Sequence, residues 1–176
     1  AIEDYNKAAE LAPNDVNVYY NRGVNEGRLG RNDDALASYS RAIELEPRHW
    51  PAYTSKSNIL RKLGRFDEAI RDINLAIETD PRSARIWDSR GITYTAMGRF
   101  EDAVKDHDKA VEIDPYFGQA HYNLACALAR LGHAKAIDAL KKAIQLSPNF
   151  GKMAKGDSDF DMVRSEPEFV AFVSKY

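Results

Sequence analysis

The stretch Leu63–Pro81, LGRFDEAIRDINLAIETDP, returns 34 residues later as MGRFEDAVKDHDKAVEIDP (Met97–Pro115) and stands 34 residues earlier as LGRNDDALASYSRAIELEP (Leu29–Pro47). A period in the range of roughly 20–50 residues marks a chain that stacks short units rather than one built around a single globular core. Gly30, Gly64, Gly98 and Gly132 are each 34 apart, and Pro13, Pro47, Pro81, Pro115 and Pro148 are spaced 34, 34, 34 and 33. Gly at such places caps a helix at its C-terminus, and Pro stops the following helix from running on. Each unit therefore reads as a helix pair. Alanine recurs where paired helices must approach closely, at Ala35, Ala69, Ala103 and Ala136, and again at Ala8, Ala42, Ala76, Ala110 and Ala143.

The pattern predicts helix pairs near 16–29/33–46, 51–63/67–79, 84–97/101–113 and 118–131/134–146, in complete repeats 16–49, 50–83, 84–117 and 118–150. The fourth is one residue short, with the deletion between Gly132 and Ala136. Residues 1–15 read as a half-repeat, a second helix whose apolar stripe of Ile2, Tyr5, Ala9 and Leu11 lacks its own first helix. Beyond Pro148 the period stops. Residues 151–176 are expected to cap the array, with Phe160, Met162 and Val163 inward and a last helix near 167–175 opened by Pro167.

The bulk numbers narrow the function classes. A hydrophobic fraction of 44% with 30% charged residues suits a folded, soluble chain, and the apolar runs are far too short for a membrane span. A net charge of -2 gives no reason to expect nucleic acid as partner. The single cysteine, Cys126, excludes an intrachain disulfide and leaves the compartment open, with the cytoplasm slightly favoured. The absence of an initiator Met at Ala1 suggests a processed chain or a fragment. No HExxH, CxxC, GxSxG or phosphate-binding glycine loop occurs, so no catalytic residue, metal site or cofactor is read from the sequence. His107 and His121 fall on positions of the repeat that suit core side chains, and His49 and His133 lie in turns. His121 and Cys126 are five apart on one predicted helix, about 140° around its axis, and cannot share a metal.

Numbered within the repeat, position 4 holds Tyr19, Tyr53, Trp87 and His121; position 8 holds Gly23, Ser57, Gly91 and Ala125; position 24 holds Tyr39, Ile73, His107 and Leu140. With Ala at 20 and 27 and Pro at 32, the chain closely resembles the tetratricopeptide repeat (TPR) proteins over about 150 of its 176 residues. The last repeat departs most. The resemblance implies an all-α, right-handed superhelical solenoid of antiparallel helix pairs, with the first helix of each pair lining a concave groove. It also implies that positions 2, 5, 6, 9, 12 and 13 of the first helices face that groove. Those positions carry five basic side chains (Arg28, Arg61, Lys62, Arg85 and Arg130) and one acidic, Asp88. Between the basic residues run Asn21, Ser55, Asn58, Ser89 and Asn123, with Tyr20 and Tyr122 toward the two ends.

Two binding modes of the family can be set against these residues. The carboxylate clamp of chaperone adaptors would need Lys, Asn, Asn, Lys and Arg at five positions of three successive repeats, where this chain has Tyr20, Val24, Ser55, Arg85 and Ser89, or Thr54, Asn58, Ser89, Gln119 and Asn123, and neither frame fits. The asparagine ladder of O-linked GlcNAc transferases is matched in part, by Asn21, Ser55, Ser89 and Asn123 at position 6. The expectation is a non-catalytic protein–protein interaction scaffold whose groove takes an acidic peptide segment. The alternative is an assembly element, self-associating through its terminal helices or serving as the TPR part of a larger enzyme.

Overall fold

A computed structural model describes residues 2–176, with side chains from Tyr5 onward apart from Asn6. Among the described residues the regular elements are all helical. They are α1 (Ile2–Leu11), α2 (Val16–Arg28), α3 (Asn32–Leu45), α4 (Trp50–Lys62), α5 (Phe66–Thr79), α6 (Ala84–Ala96), α7 (Phe100–Ile113), α8 (Gly118–Arg130), α9 (Lys135–Leu146), α10 (Asn149–Gly156) and α11 (Pro167–Val173). A 3-10 turn, Ser158–Phe160, lies between the last two. Helices α2/α3, α4/α5, α6/α7 and α8/α9 pack as consecutive antiparallel pairs. The chain divides into two compact units between Pro81 and Arg82, the first holding α1 to α5 and the second α6 to α11.

The punctuation works as the residue types require. Gly30, Gly64 and Gly98 sit at φ 74° and Gly132 at φ 62°, the left-handed region that an L side chain rarely adopts. Just beyond them the N–H groups of Arg31, Arg65, Arg99 and His133 donate to the carbonyls of Glu26, Leu60, Tyr94 and Leu128 at 2.8–2.9 Å, closing the last turn of each first helix. Second helices end before proline, where Glu46, Asp80, Asp114 and Ser147 leave the helical region with φ between -129° and -154°. The position-4 rings tie those ends to the next pair. Tyr19 and Tyr53 donate to the carbonyls of Pro13 (3.2 Å) and Pro47 (3.3 Å), and His121 Nε2 lies 3.0 Å from that of Pro115.

Within the pairs, Ala35, Ala69, Ala103 and Ala136, and Ala42, Ala76, Ala110 and Ala143, have no accessible surface. Positions 8 and 24 are matched in size. A Cβ on Gly23 would stand 2.7 Å from the Tyr39 ring, and one on Gly91 would stand 2.6 Å from the His107 ring. A second contact joins the helices of the first three pairs through polar groups. Arg22 donates to Ser38 (2.8 Å), which donates to buried Glu26 (2.6 Å); Lys56 pairs with Asp72 (3.2 Å); Arg90 grips both oxygens of Asp106 at 2.7 Å. In the fourth pair the same two positions are Leu124 and Ala139, and the contact becomes apolar.

The C-terminal residues close the second unit. Phe160, Val163, Phe169 and Val173 are all at most 3% exposed and pack into one cluster with α8 and α9. Tyr122 stacks on Phe150 (centroids 5.0 Å apart) and meets Phe160 edge-on at 5.8 Å. Met162, expected inward, is 64% exposed. The turn after the 3-10 segment accounts for this, because the Val163 N–H donates to the Phe160 carbonyl at 3.0 Å and brings Val163 inward beside Phe160, leaving residue 162 on the outside. At the other end α1 packs on α2; Tyr5 and Ala9 are half-buried and Leu11 is exposed. The side chain of Ile2, also placed on that stripe, lies outside the described residues.

Candidate functional site

In the first unit the expected groove residues lie on α2 and α4, neighbouring first helices. Asn21, Arg28, Asn58 and Lys62 are exposed, while Tyr20, Ser55 and Arg61 are half-buried. Among the described residues no ion pair engages Arg28, Arg61 or Lys62. The Nε of Arg61 is buried without a hydrogen-bond partner, and burial lowers the guanidinium below its ordinary pKa. Tyr20 packs between Tyr39 and His49, with centroids 6.0 and 5.2 Å away. Burial and the nearby Tyr20 push the Tyr39 hydroxyl up to about 12.

In the second unit the outcome differs. Arg85 is exposed and lies over the Phe117 ring at 5.7 Å. Ser89 is buried, its Oγ without a partner. Asp88, the one acidic side chain expected in the groove, is not exposed there. It is buried, accepts from Asn123 Nδ2 at 3.0 Å and lies 2.8 Å from His107 Nδ1. His107 is wholly buried as expected of a core position, but its Nε2 has no partner.

The larger correction concerns α8. Tyr122, expected to offer an exposed ring, is only 3% exposed, and Arg130 is paired. The reason is that the chain after α10 folds back over this helix. Tyr122 donates to Asp157 Oδ2 at 2.6 Å, Arg130 to Asp159 Oδ1 at 3.2 Å, and the Cys126 thiol stands 3.8 Å from Asp157 Oδ2. Burial raises both the Tyr122 hydroxyl and the Cys126 thiol above their ordinary values, and the adjacent Asp157 adds to each. The aspartates were not singled out in the sequence because they lie beyond the last repeat, where no period marks them. The polar pairs at 22/38, 56/72 and 90/106 did have a signal, a 34-residue recurrence of basic residues 16 positions before Ser or Asp.

A cavity of about 610 Å3 lies elsewhere, among α7, α8 and α9, floored by Val104, Val111, Leu124, Leu128 and Ala139. It opens where the fourth pair has exchanged the long polar contact for Leu124 and the short Ala139.

Comparison with known proteins gives the same reading of the repeats. Tetratricopeptide repeat models match residues 20–84 and 118–150, and a TPR repeat model matches 91–132. No curated protein sequence matches the chain. Among solved structures, PilF of Pseudomonas aeruginosa superposes with a TM-score of 0.79 at 20% identity, covering 92% of this chain and 72% of that one. YrrB, described as a TPR protein with an unusual peptide-binding site, gives 0.71 at 19% identity over 97% and 93%. The first TPR of Spaghetti (RPAP3), bound to the HSP90 peptide SRMEEVD, gives 0.62 at 23% identity over 66% and 92%. At these identities the likeness is one of fold. With its recurring residues, its helix pairs and these matches, the chain belongs to the tetratricopeptide repeat family.

Proposed function

We propose that this protein is a non-catalytic protein–protein interaction scaffold whose first-helix faces take an acidic, extended peptide segment. The observation that carries the reading is the chain's own tail. The acidic stretch that opens the segment after α10 meets α8, where Tyr122 holds the Asp157 carboxylate and Arg130 that of Asp159. In the first unit, Arg28 and Lys62 offer the same kind of charge without an ion-pair partner among the described residues. Asn21, Ser55 and Asn58 beside them can both donate to and accept from a peptide backbone without reading its side chains. The TPR of RPAP3 likewise holds a peptide, SRMEEVD, with three acidic side chains. A different mode is expected here, since neither frame of the repeat supplies the full set of clamp residues.

Binding is expected at micromolar strength, because a flexible ligand must be ordered on a small surface. It should weaken with salt, as exposed charges are screened over about 8 Å at physiological ionic strength. The test is fluorescence anisotropy with labelled pools of Asp/Glu-rich and Lys/Arg-rich peptides against wild type and Arg28→Glu/Lys62→Glu. Tighter binding of the acidic pool, lost in the variant, supports the reading; equal binding of both pools refutes it. Self-association through α1 is the other reading, favoured by Leu11 at 79% exposure. Multi-angle light scattering across concentration separates the two, since a pure scaffold keeps the chain mass of 19.8 kDa.

A further inference from the structure

We propose that Cys126, Asp157 and Asp159 form a binding site for a divalent transition-metal ion of the zinc class. The Sγ of Cys126 and a carboxylate oxygen from each aspartate all lie within 4.8 Å of one another. In a tetrahedral shell with Zn–S near 2.3 Å and Zn–O near 2.1 Å, neighbouring donors stand about 3.6 Å apart. The Cys126 Sγ and Asp157 Oδ2 are already 3.8 Å apart. The cluster needs only a small contraction to close on an ion.

A second observation, independent of these three, points to a ligand. His107 lines the same cavity of about 170 Å3 as Cys126, Asp157 and Asp159. Its side chain is 1% exposed and its Nε2 has no hydrogen-bond partner. Nδ1 lies 2.8 Å from Asp88 Oδ1, and Asp88 is itself fixed by Asn123. With Nδ1–H donating to Asp88, Nε2 carries the lone pair. A carboxylate behind one imidazole nitrogen and an open lone pair on the other is how metal-binding histidines are oriented and made more basic. Nε2 is not one of the three close donors, so a water in the shared cavity would have to link it to the ion.

The donors select the metal class. Metal binding breaks the Cys126 S–H bond, now directed at Asp157 Oδ2, and releases that proton to solvent. The thiolate so formed, with imidazole, suits zinc and its neighbours, whereas magnesium and calcium prefer all-oxygen shells. The bonds already present orient the ligands without consuming them. Tyr122 donates to Asp157, the backbone N–H of Asp159 donates to Asp157 Oδ1, and Arg130 donates to Asp159, which offsets part of the negative charge. A bound ion would tie the C-terminal segment to α8 and hold the cap in place. This inference does not depend on the peptide reading, and the two fail separately.

The test uses the full chain stripped of metal and titrated with Co2+ as a spectroscopic stand-in for Zn2+. One equivalent should bring up a thiolate-to-cobalt charge-transfer band, and Zn2+, but not excess Mg2+, should abolish it. Cys126→Ser should remove the band, and Asp159→Asn should weaken Co2+ binding at least tenfold. His107→Gln should weaken it about 10–100-fold, the range for residues supporting a metal ligand. Zn2+ should raise the melting temperature of wild type and leave that of Cys126→Ser unchanged, with circular dichroism showing that each variant stays helical. Absence of the band at one equivalent, or a band that Asp159→Asn leaves at full affinity, overturns the proposal.

Discussion

The smallest unit of specificity in this fold is the pair at positions 8 and 24. Where position 24 is a ring, Tyr39 or His107, position 8 is glycine; where it is Ile73 or Leu140, position 8 is Ser57 or Ala125. The close approach of Gly23 to Tyr39 turns that correlation into a cause. Gly23→Ala should cost about 1–3 kcal/mol in chemical denaturation, because the ring must shift in a packed interior. Adding Tyr39→Leu, which recreates the Ala125/Leu140 pair of the fourth repeat, should recover most of that loss; a double variant no more stable than the single one would refute the pairing. Ala103→Leu, at a position with no accessible surface, should cost a similar amount with no rescue nearby. Tyr39 also gives a pH prediction. Its folded pKa of about 12 lies above the ordinary 10.0, so its stabilising contribution is present below pH 10 and is lost as pH rises through 12. In an ultraviolet pH titration, the phenolate signal absent from Tyr39→Phe should therefore appear near pH 12; its appearance near pH 10 would contradict the burial.

At the scale of the element, the sequence was most legible where it repeats. Gly30 and its counterparts, the alanines and the prolines placed each described helix boundary of the four pairs within one or two residues, because each mark recurs with the same physical duty. The first four-residue turn of each second helix was less obvious but obeys electrostatics. Asp33, Asp34, Asp67, Glu68, Glu101 and Asp102 sit at the positive ends of α3, α5 and α7. The C-terminal segment was the least legible. It occurs once, so nothing in the sequence signals that Asp157 meets Tyr122 across 35 residues, or that Met162 turns outward. The burial of Tyr122 is illegible for the same reason, while Asp88 is buried by partners within the repeats, His107 and Asn123, that its position does not reveal. Phe160, with no accessible surface, is the test of that cap. Phe160→Ala should cost about 3–5 kcal/mol. It should also raise the susceptibility of the bonds after Lys155 and Arg164 to trypsin, while leaving the bond after Arg71 in the first unit unchanged; equal acceleration at all three would show that the cap has no local role.

Across the whole molecule, charge is partly sorted between helices. A chain of net charge -2 places Arg28, Arg61, Lys62, Arg85 and Arg130 on first helices, and six acidic residues at the starts of α3, α5 and α7. On α8 Arg130 is already met by the chain's own Asp159, while on α2 and α4 no ion pair among the described residues engages Arg28, Arg61 or Lys62. An acidic segment is therefore expected to bind the first-helix face of the first unit. Amide chemical-shift mapping by nuclear magnetic resonance, with the Asp/Glu-rich peptide pool titrated into isotope-labelled protein, tests it most directly. The account predicts saturable shifts concentrated on α2 and α4, around Asn21, Arg28, Ser55, Asn58 and Lys62, fading as salt is raised. Shifts confined to the apolar cavity among α7, α8 and α9, or shifts on α2 and α4 that the Lys/Arg-rich pool reproduces, would contradict it.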